Sequence, residues 1–246
     1  MSAEALALLE VNEATWPPAR RWQLGPWILR EGQGGGKRVS AATVAEHGVV
    51  PDAAALAEAE AAMAEMRQAP LVMVRPGEEA LDAMLDRAGY AMLDPSVIHA
   101  APIERLTDRA VPRLAALTVW EPLQIMREIW TAHGFGPARQ AVMERAPQPK
   151  TGLLARQNDH PAGTGFVAVH DGVAMVHALV VVPGERRQGA AEWFMRGAAV
   201  WAEAHGATRI AAIATRDNAA AAGLYDKLGM GQAGVYHYRI KPAEGR

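Results

Sequence analysis

The chain contains no cysteine. Disulfides, thiolate metal sites and a cysteine nucleophile are therefore excluded. Serine is almost as scarce. Ser2, Ser40 and Ser96 are the only ones, and none stands in a G-x-S-x-G elbow. Basic excess is also missing: 25 Lys and Arg face 27 Asp and Glu, for a formal net charge of −2. Phosphate neutralisation supplies most nucleic-acid affinity, so no nucleic-acid partner is expected. No apolar run approaches the ~18–20 residues that cross a bilayer, so no membrane partner is expected either. Met1-Ser2-Ala3-Glu4 is acidic early and lacks a positive region before an apolar stretch. It does not read as a signal peptide, and a soluble cytoplasmic location is the expectation. The eight histidines show no H-x-x-H or H-E-x-x-H spacing, so no metal site is expected.

What is present is a chain of 246 residues, half of them hydrophobic, enough for one large or two small domains. Strand and helix patterns alternate, which argues for an α/β (α+β) fold. In the first hundred residues, strands are expected at 26–30 and, across the Gly34-Gly35-Gly36 turn, from Lys37. Gly32 to Lys37 superficially resembles a phosphate loop, but position 31 is Glu and position 38 is Arg, so the P-loop pattern fails. A helix is expected over 52–68 with Asp52 as its cap, then a strand at 71–75, a helix over 78–88 closed by Gly89, and a strand over 93–103. Helical stretches are expected at 112–132 and 136–145. Strands follow at 152–156, 165–169 and 173–182, then a helix over 189–205 with Trp193, Phe194, Val200 and Trp201 on one face. A strand at 210–214, a helix over 218–228 ended by Gly229, and a strand at 234–240 complete the series. The strand–helix–Gly spacing of 71–90 parallels that of 211–230, a faint internal repeat.

Two motifs carry chemistry. In the first, the apolar strand through Leu179, Val180 and Val181 runs into a basic loop, Arg186-Arg187-Gln188-Gly189-Ala190-Ala191, which opens a helix. The start of a helix leaves main-chain N–H groups unpaired and carries partial positive charge. Gly189 lets a ligand approach the backbone, and Arg186 and Arg187 add charge, so the loop reads as a pyrophosphate cradle. The second motif spans Asn218 to Met230. Asn218 and Tyr225 lie seven residues apart, nearly two turns, and share a helix face.

Together these motifs resemble those of the GNAT superfamily of N-acyltransferases: the R/Q-x-x-G-x-G/A acyl-CoA loop, and an Asn followed by a Leu-Tyr-x-x-Leu-Gly helix end. The last loop glycine is Ala191 here. The resemblance covers about 105–246 and is strongest over 175–240. It implies a mixed, mostly antiparallel sheet splayed at the CoA site, with flanking helices. It implies acetyl-CoA as acyl donor and no metal. It places the pantetheine arm on backbone at Leu179, Val180 and Val181, and the pyrophosphate on Arg186, Arg187, Gln188, Gly189, Ala190 and Ala191. Asn218 would bind the pantetheine arm or a nearby water, and Tyr225 would protonate the departing thiolate.

The activity so implied is acetyl transfer to a primary amine by direct attack, with no covalent enzyme intermediate. The missing Cys and the unsuited serines agree with that route. Backbone amides of 179–181 are natural oxyanion donors. His177, two residues before Leu179, is the candidate base; packing of that strand histidine and a water chain are its alternatives. Trp120 and Trp130 fall in a region that lines the acceptor pocket in the family, but packing is the better reading, since each carries enough apolar area to anchor a core. The acceptor is expected to be a small-molecule or peptide amine, and the protein a monomer or homodimer. A non-catalytic acyl-CoA-binding or sensing module is the alternative. Residues 1–104 are expected to form a smaller α/β subdomain, a degenerate GNAT-like copy without cofactor, ahead of an acetyltransferase domain at 105–246.

Overall fold

The computed structural model describes residues 2–242; Met1, part of the N-terminal reading above, and residues 243–246 lie outside the described residues. The chain opens with helix α1 (Ser2–Thr15), then β1 (Arg20–Leu24) and β2 (Trp27–Glu31). After a 3-10 turn at Lys37–Val39 come β3 (Thr43–Val44), α2 (Ala53–Glu65), β4 (Leu71–Val74), α3 (Glu79–Arg87) and β5 (Ala91–Pro102). The second half holds α4 (Glu104–Thr107), β6 (Ala116–Val119), α5 (Gln124–Ala132), α6 (Pro137–Arg145), β7 (Lys150–Gln157), β8 (His160–His170) and β9 (Val173–Val181). It ends with α7 (Ala190–Glu203), β10 (Arg209–Thr215), α8 (Ala219–Lys227) and β11 (Gly231–Ile240).

One eight-stranded sheet dominates, in the order β4-β11-β5-β10-β9-β8-β7-β6; β1, β2 and β3 form a small second sheet. All pairings in the large sheet are antiparallel except β9 with β10. The element order of the first half, β1-β2-β3-α2-β4-α3-β5, recurs as β7-β8-β9-α7-β10-α8-β11. The pairings recur too: β1, β2 and β3 are successively antiparallel, as are β7, β8 and β9. A parallel bridge from Ala42 to Val72 stands where β9 pairs with β10. Each half then gives its last strand to the other. β5 lies between β11 and β10, and β11 lies between β4 and β5. The helix ends match as well. Gly89 and Gly229 take positive φ (83° and 69°), and the residues after them, Tyr90 and Met230, donate back to the carbonyls of Leu85 and Tyr225. That is the left-handed helix cap only glycine adopts without strain. The expected boundary at 104/105 falls within the first turn of α4, just past β5, but the sheet runs across it.

Alternation along the strands builds two apolar layers. On β8, Val167 and Val169 pack with Phe194, Met195 and Ala198 of α7, while Phe166 and Ala168 face Trp130, Val142 and Met143 of α5 and α6. α1 covers the β11–β5 end through Ala5, Leu8 and Val11.

Three local expectations are corrected. Residues 116–119 are a strand, not part of a long helix. Ala116 to Val119 pair in register with Ala155 to Gly152 at the sheet edge, and that pairing overrides local helix preference. The glycines at 34–36 lie in the link between the paired strands β2 and β3, but the segment that follows them is the 3-10 turn at Lys37–Val39 and not a strand. The triplet lies against α6: a Cβ on Gly35 would meet Val142 at 2.7 Å. The buried face of α7 is not the one through Trp193 and Val200. Val200 is exposed, and Phe194, Met195, Ala198, Ala199 and Ala202 face the sheet with the 3.6-residue period. Small residues let this helix lie close, since a Cβ on Gly197 would stand 2.5 Å from that of Ala116.

Candidate active site

β9 and β10 run parallel only as far as the pair Val176–Ala212. Beyond it the strands part, and the fork opens a cleft of about 1460 Å³. The divergence has a local cause. Ala178 takes φ 50°, a left-handed value for a residue with a Cβ, and the register with β8 slips between Thr164 and Phe166. This is a β-bulge, which bends the strand that carries it. Buried Trp130 pins it, donating from its indole N–H to the Ala178 carbonyl at 2.9 Å. Gly165, across from the bulge, has no room for a side chain: a Cβ there would reach the Phe194 ring at 2.5 Å. Leu179, Val180 and Val181 therefore line the open limb of the fork.

At the outer end of that limb stands α7. Gly189 caps it in a left-handed conformation (φ 94°), with no side-chain hydrogen bond to the helix start. Among the described residues, the main-chain N–H groups from Arg187 to Glu192 donate to nothing. The equivalent helix of the first half, α2, differs, and so does α8, the next helix along the chain. Asp52 caps α2 by accepting from the Ala55 N–H, and Asn218 caps α8 by accepting from the Ala221 N–H. The first half thus fills its own helix start with a carboxylate, and the second half leaves its helix start open. Arg186 and Arg187 flank the open amides, both exposed and neither within an ion pair among the described residues. Arg186 spends one donor on the Val181 carbonyl at 3.2 Å. Gln188 bonds back to the Gly184 carbonyl, and Gln157 holds the Gln188 carbonyl at 2.8 Å, so the loop is fixed at both ends. Gly189, Ala190 and Ala191 all line the cleft. A run of free amides beside two unpaired guanidinium groups fits a diphosphate.

Tyr225 enters the cleft from α8, its ring 4.8 Å from that of His99. Burial pushes its hydroxyl up to about 12, partly offset by the positive charge of Arg38. It is thus firmly protonated at neutral pH. Asn218 also lines the cleft, but its Oδ1 is committed to the helix cap, which leaves only its amide N–H₂ free.

His177 lies where the fork begins. It is buried, stacked on Trp16 at 5.0 Å, and bonded at both nitrogens. Thr15 gives its hydroxyl proton to the Val11 carbonyl at 2.7 Å, so its oxygen accepts from Nε2 of His177 at 2.8 Å. Arg38 has only donors, so Nδ1 accepts from it at 3.4 Å. Both contacts require the neutral ring with its proton on Nε2. Desolvation, with Arg38 adding to it, holds the imidazole well below its usual pKa. The candidate base is thus neutral, with its lone pair aimed at a cation.

The sequence did not reveal the other wall. Trp16, Gly35 to Arg38 and Asp94, all from the first half, line the same cleft as Phe135 and Arg139. Arg38 bridges the two limbs of the fork, since its Nη2 also donates to the Ile213 carbonyl on β10 at 3.1 Å. Its partners lie 139 and 175 residues away, and no local pattern announces contacts of that range. Trp120 and Trp130 are not among the lining residues. Among the described residues, no group of three or more His, Asp or Glu could hold a metal ion. Nor is any described helix long and apolar enough to cross a membrane.

Residues 117–230 match the family described as the acetyltransferase (GNAT) family. The chain is 26% identical over 238 residues to YobR, an uncharacterised N-acetyltransferase of Bacillus subtilis (strain 168), covering 93% of this chain and 95% of the relative. Among solved structures, a GCN5-related N-acetyltransferase from Kribbella flavida superposes with a TM-score of 0.72 at 21% identity, covering 98% of this chain and 96% of that one. A tandem GNAT protein from the clavulanic acid biosynthesis pathway superposes at 0.57 with 14% identity, over 83% of this chain and 76% of its own. These two likenesses carry the fold.

Proposed function

Residues 117–230 are an acetyltransferase domain of the GNAT family, and from that premise we propose that the protein moves an acetyl group from acetyl-CoA to a primary amine by direct attack. The observation that carries this reading is the uncapped run of amides from Arg187 to Glu192 at the outer end of the β9–β10 fork. Those amides, with Arg186 and Arg187, hold the diphosphate. The open limb of β9 at Leu179, Val180 and Val181 pairs with the pantetheine arm, and its N–H groups stabilise negative charge developing on the thioester oxygen. The free amide N–H₂ of Asn218 faces the same arm. Holding amine and thioester together supplies several kcal/mol, up to ~7–11 in favourable cases.

Tyr225 acts as hydrogen-bond donor to the departing sulfur. With its hydroxyl near 12, full proton transfer to a thiolate of pKa roughly 8.5 is uphill. Its contribution is therefore a donated hydrogen bond, completed by proton uptake from solvent. His177 does not suit the role of base, being buried and neutral with its lone pair facing Arg38. It acts instead as a positioning residue, fixing Arg38 at the mouth of the fork. The amine then loses its proton to water in the cleft. A cytoplasmic setting and a small-molecule or peptide acceptor complete the reading.

The test is free-thiol release from acetyl-CoA across an amine panel, wild type against Tyr225→Phe. Amine-dependent release that falls in the variant supports the reading. Binding of acetyl-CoA with no release for any amine would instead make the protein an acyl-CoA sensor.

A further inference from the structure

The end of the cleft walled by the first half and α6 is positive in a chain that is not. The whole sequence carries a formal charge of −2. Among the residues lining this end, Lys37, Arg38 and Arg139 are cationic and only Asp94 is anionic. Lys37 and Asp94 cancel, with Nζ 2.6 Å from the carboxylate. That leaves two guanidinium groups with no carboxylate within ion-pair distance among the described residues.

Both have donors to spare. Arg38 uses one N–H on His177 and one on Ile213, and a guanidinium has five, so three are left. The Arg139 guanidinium donates no hydrogen bond among the described residues and rests on the Phe135 ring at 5.1 Å. Both line the cleft beside the glycine segment. A Cβ on Gly36 would stand 3.3 Å from Nε of Arg139, and Gly36 is two residues from Arg38. The same wall carries Tyr236 and Tyr238, and the buried Tyr238 hydroxyl has no partner that meets hydrogen-bond geometry. Planar donor forks left unpaired in a cleft suit a planar carboxylate held bidentately.

We propose that the acceptor is an amine that also bears a carboxylate, which Arg38 and Arg139 grip while its nitrogen faces the thioester. The inference rests on the acetyl-transfer reading and sharpens its substrate class. In the reaction the neutral nitrogen forms the new C–N bond, the C–S bond breaks with its electron pair going to sulfur, and the amine proton passes to water. The guanidinium groups do a second task here. Positive charge near an ammonium disfavours its protonated form, so the bound amine is shifted toward the nucleophilic neutral state. Diamines and lysine-rich peptides, which bring further cations, are rejected by the same field.

The experiment compares three arms as acceptors under saturating acetyl-CoA: an ω-amino acid, its carboxamide, and the diamine of equal length. The ω-amino acid is expected to show about a ten- to hundredfold higher kcat/KM than the carboxamide, the scale of one or two charge-assisted hydrogen bonds. Arg139→Gln is expected to shrink that preference mainly through the acceptor KM, and Arg139→Lys to restore part of it. A melting curve for each variant checks that the fold persists. Equal use of acid and carboxamide, or a preference for the diamine, overturns the carboxylate assignment and leaves acetyl transfer standing. A preference unchanged in Arg139→Gln overturns it as well. Absence of thiol release in every arm sinks both readings together.

Discussion

The double variant Arg186→Ala with Arg187→Ala isolates the charge at the diphosphate cradle. Both side chains are exposed and neither is ion-paired among the described residues, so their removal strands no buried partner. Stability should therefore change by no more than about 0.5 kcal/mol, as for ordinary surface positions. Binding is a different matter. A hydrogen bond to a charged group is worth about 1.5–3 kcal/mol. Exposure and salt screening pull each value toward the lower end, and two groups on one diphosphate do not add fully. The free amides from Arg187 to Glu192 remain after the change, so binding is weakened and not abolished. The expected loss is about 2–4 kcal/mol in acetyl-CoA affinity, roughly thirty- to nine-hundredfold. Calorimetry at two salt concentrations reads it, with a pantetheine thioester lacking the diphosphate as control. The wild-type advantage of acetyl-CoA over the control should fall with salt and collapse in the variant. An unchanged affinity for acetyl-CoA, or an equal loss for the pantetheine control, would refute the placement of the diphosphate.

Tyr225→Phe keeps the ring that packs on His99 and removes the hydroxyl; kcat should fall about ten- to a hundredfold while the KM for acetyl-CoA holds, as steady-state kinetics will show. His177 should leave its mark on stability and not on the rate profile. Its folded pKa lies well below 6.5, so above pH ~6.5 it is neutral in both states and contributes nothing; below that the unfolded state takes up a proton the folded state refuses, and stability falls as the pH drops. His177→Gln should remove part of that acid-side slope in urea titrations at several pH values, and a slope identical to wild type would discount the buried neutral ring. Trp130→Phe deletes the bond to the Ala178 carbonyl while keeping most of the apolar contact. It should cost about 1–2 kcal/mol in chemical denaturation and raise the KM for acetyl-CoA, because the bulge that parts the strands loses its pin.

The second half was legible because its signals are local. A strand, a glycine in the αL region and an amphipathic helix succeed one another within about thirty residues, and each reports on its neighbour. β6 and α7 show where such reading fails. Four residues of edge strand gain their identity from β7, and the packing face of α7 was masked by alanines that look featureless until a sheet lies against them. Lys37 to Val39 looked like a strand after the glycine turn because nothing in the sequence shows that α6 lies against those glycines. Helix α1 went unread for the same kind of reason: it earns its place through contacts with β11, β8 and β9, far along the chain. Arg38 is the sharpest case, since its contacts lie on two strands that come far later in the chain.

The exchange of last strands explains why the first half persists without a diphosphate cradle of its own. Asp52 has closed its helix start, yet β5 occupies the middle of the shared sheet, in register with seven residues of β10 from Arg209 to Thr215 and with most of β11. The same half supplies Trp16 and Arg38 to the cleft. Cutting the chain at 104/105 would strip β10 of β5 and β11 of both its partners, β4 and β5, and leave apolar edges of the kind that pair with other chains. It would also remove the cation that bridges the fork. The expected outcome is that residues 105–246 expressed alone are insoluble or self-associated, and regain a monodisperse form when co-expressed with residues 1–104. A soluble, monomeric and active 105–246 fragment would show that the β5 pairings are dispensable, and with them the structural reason for keeping both copies.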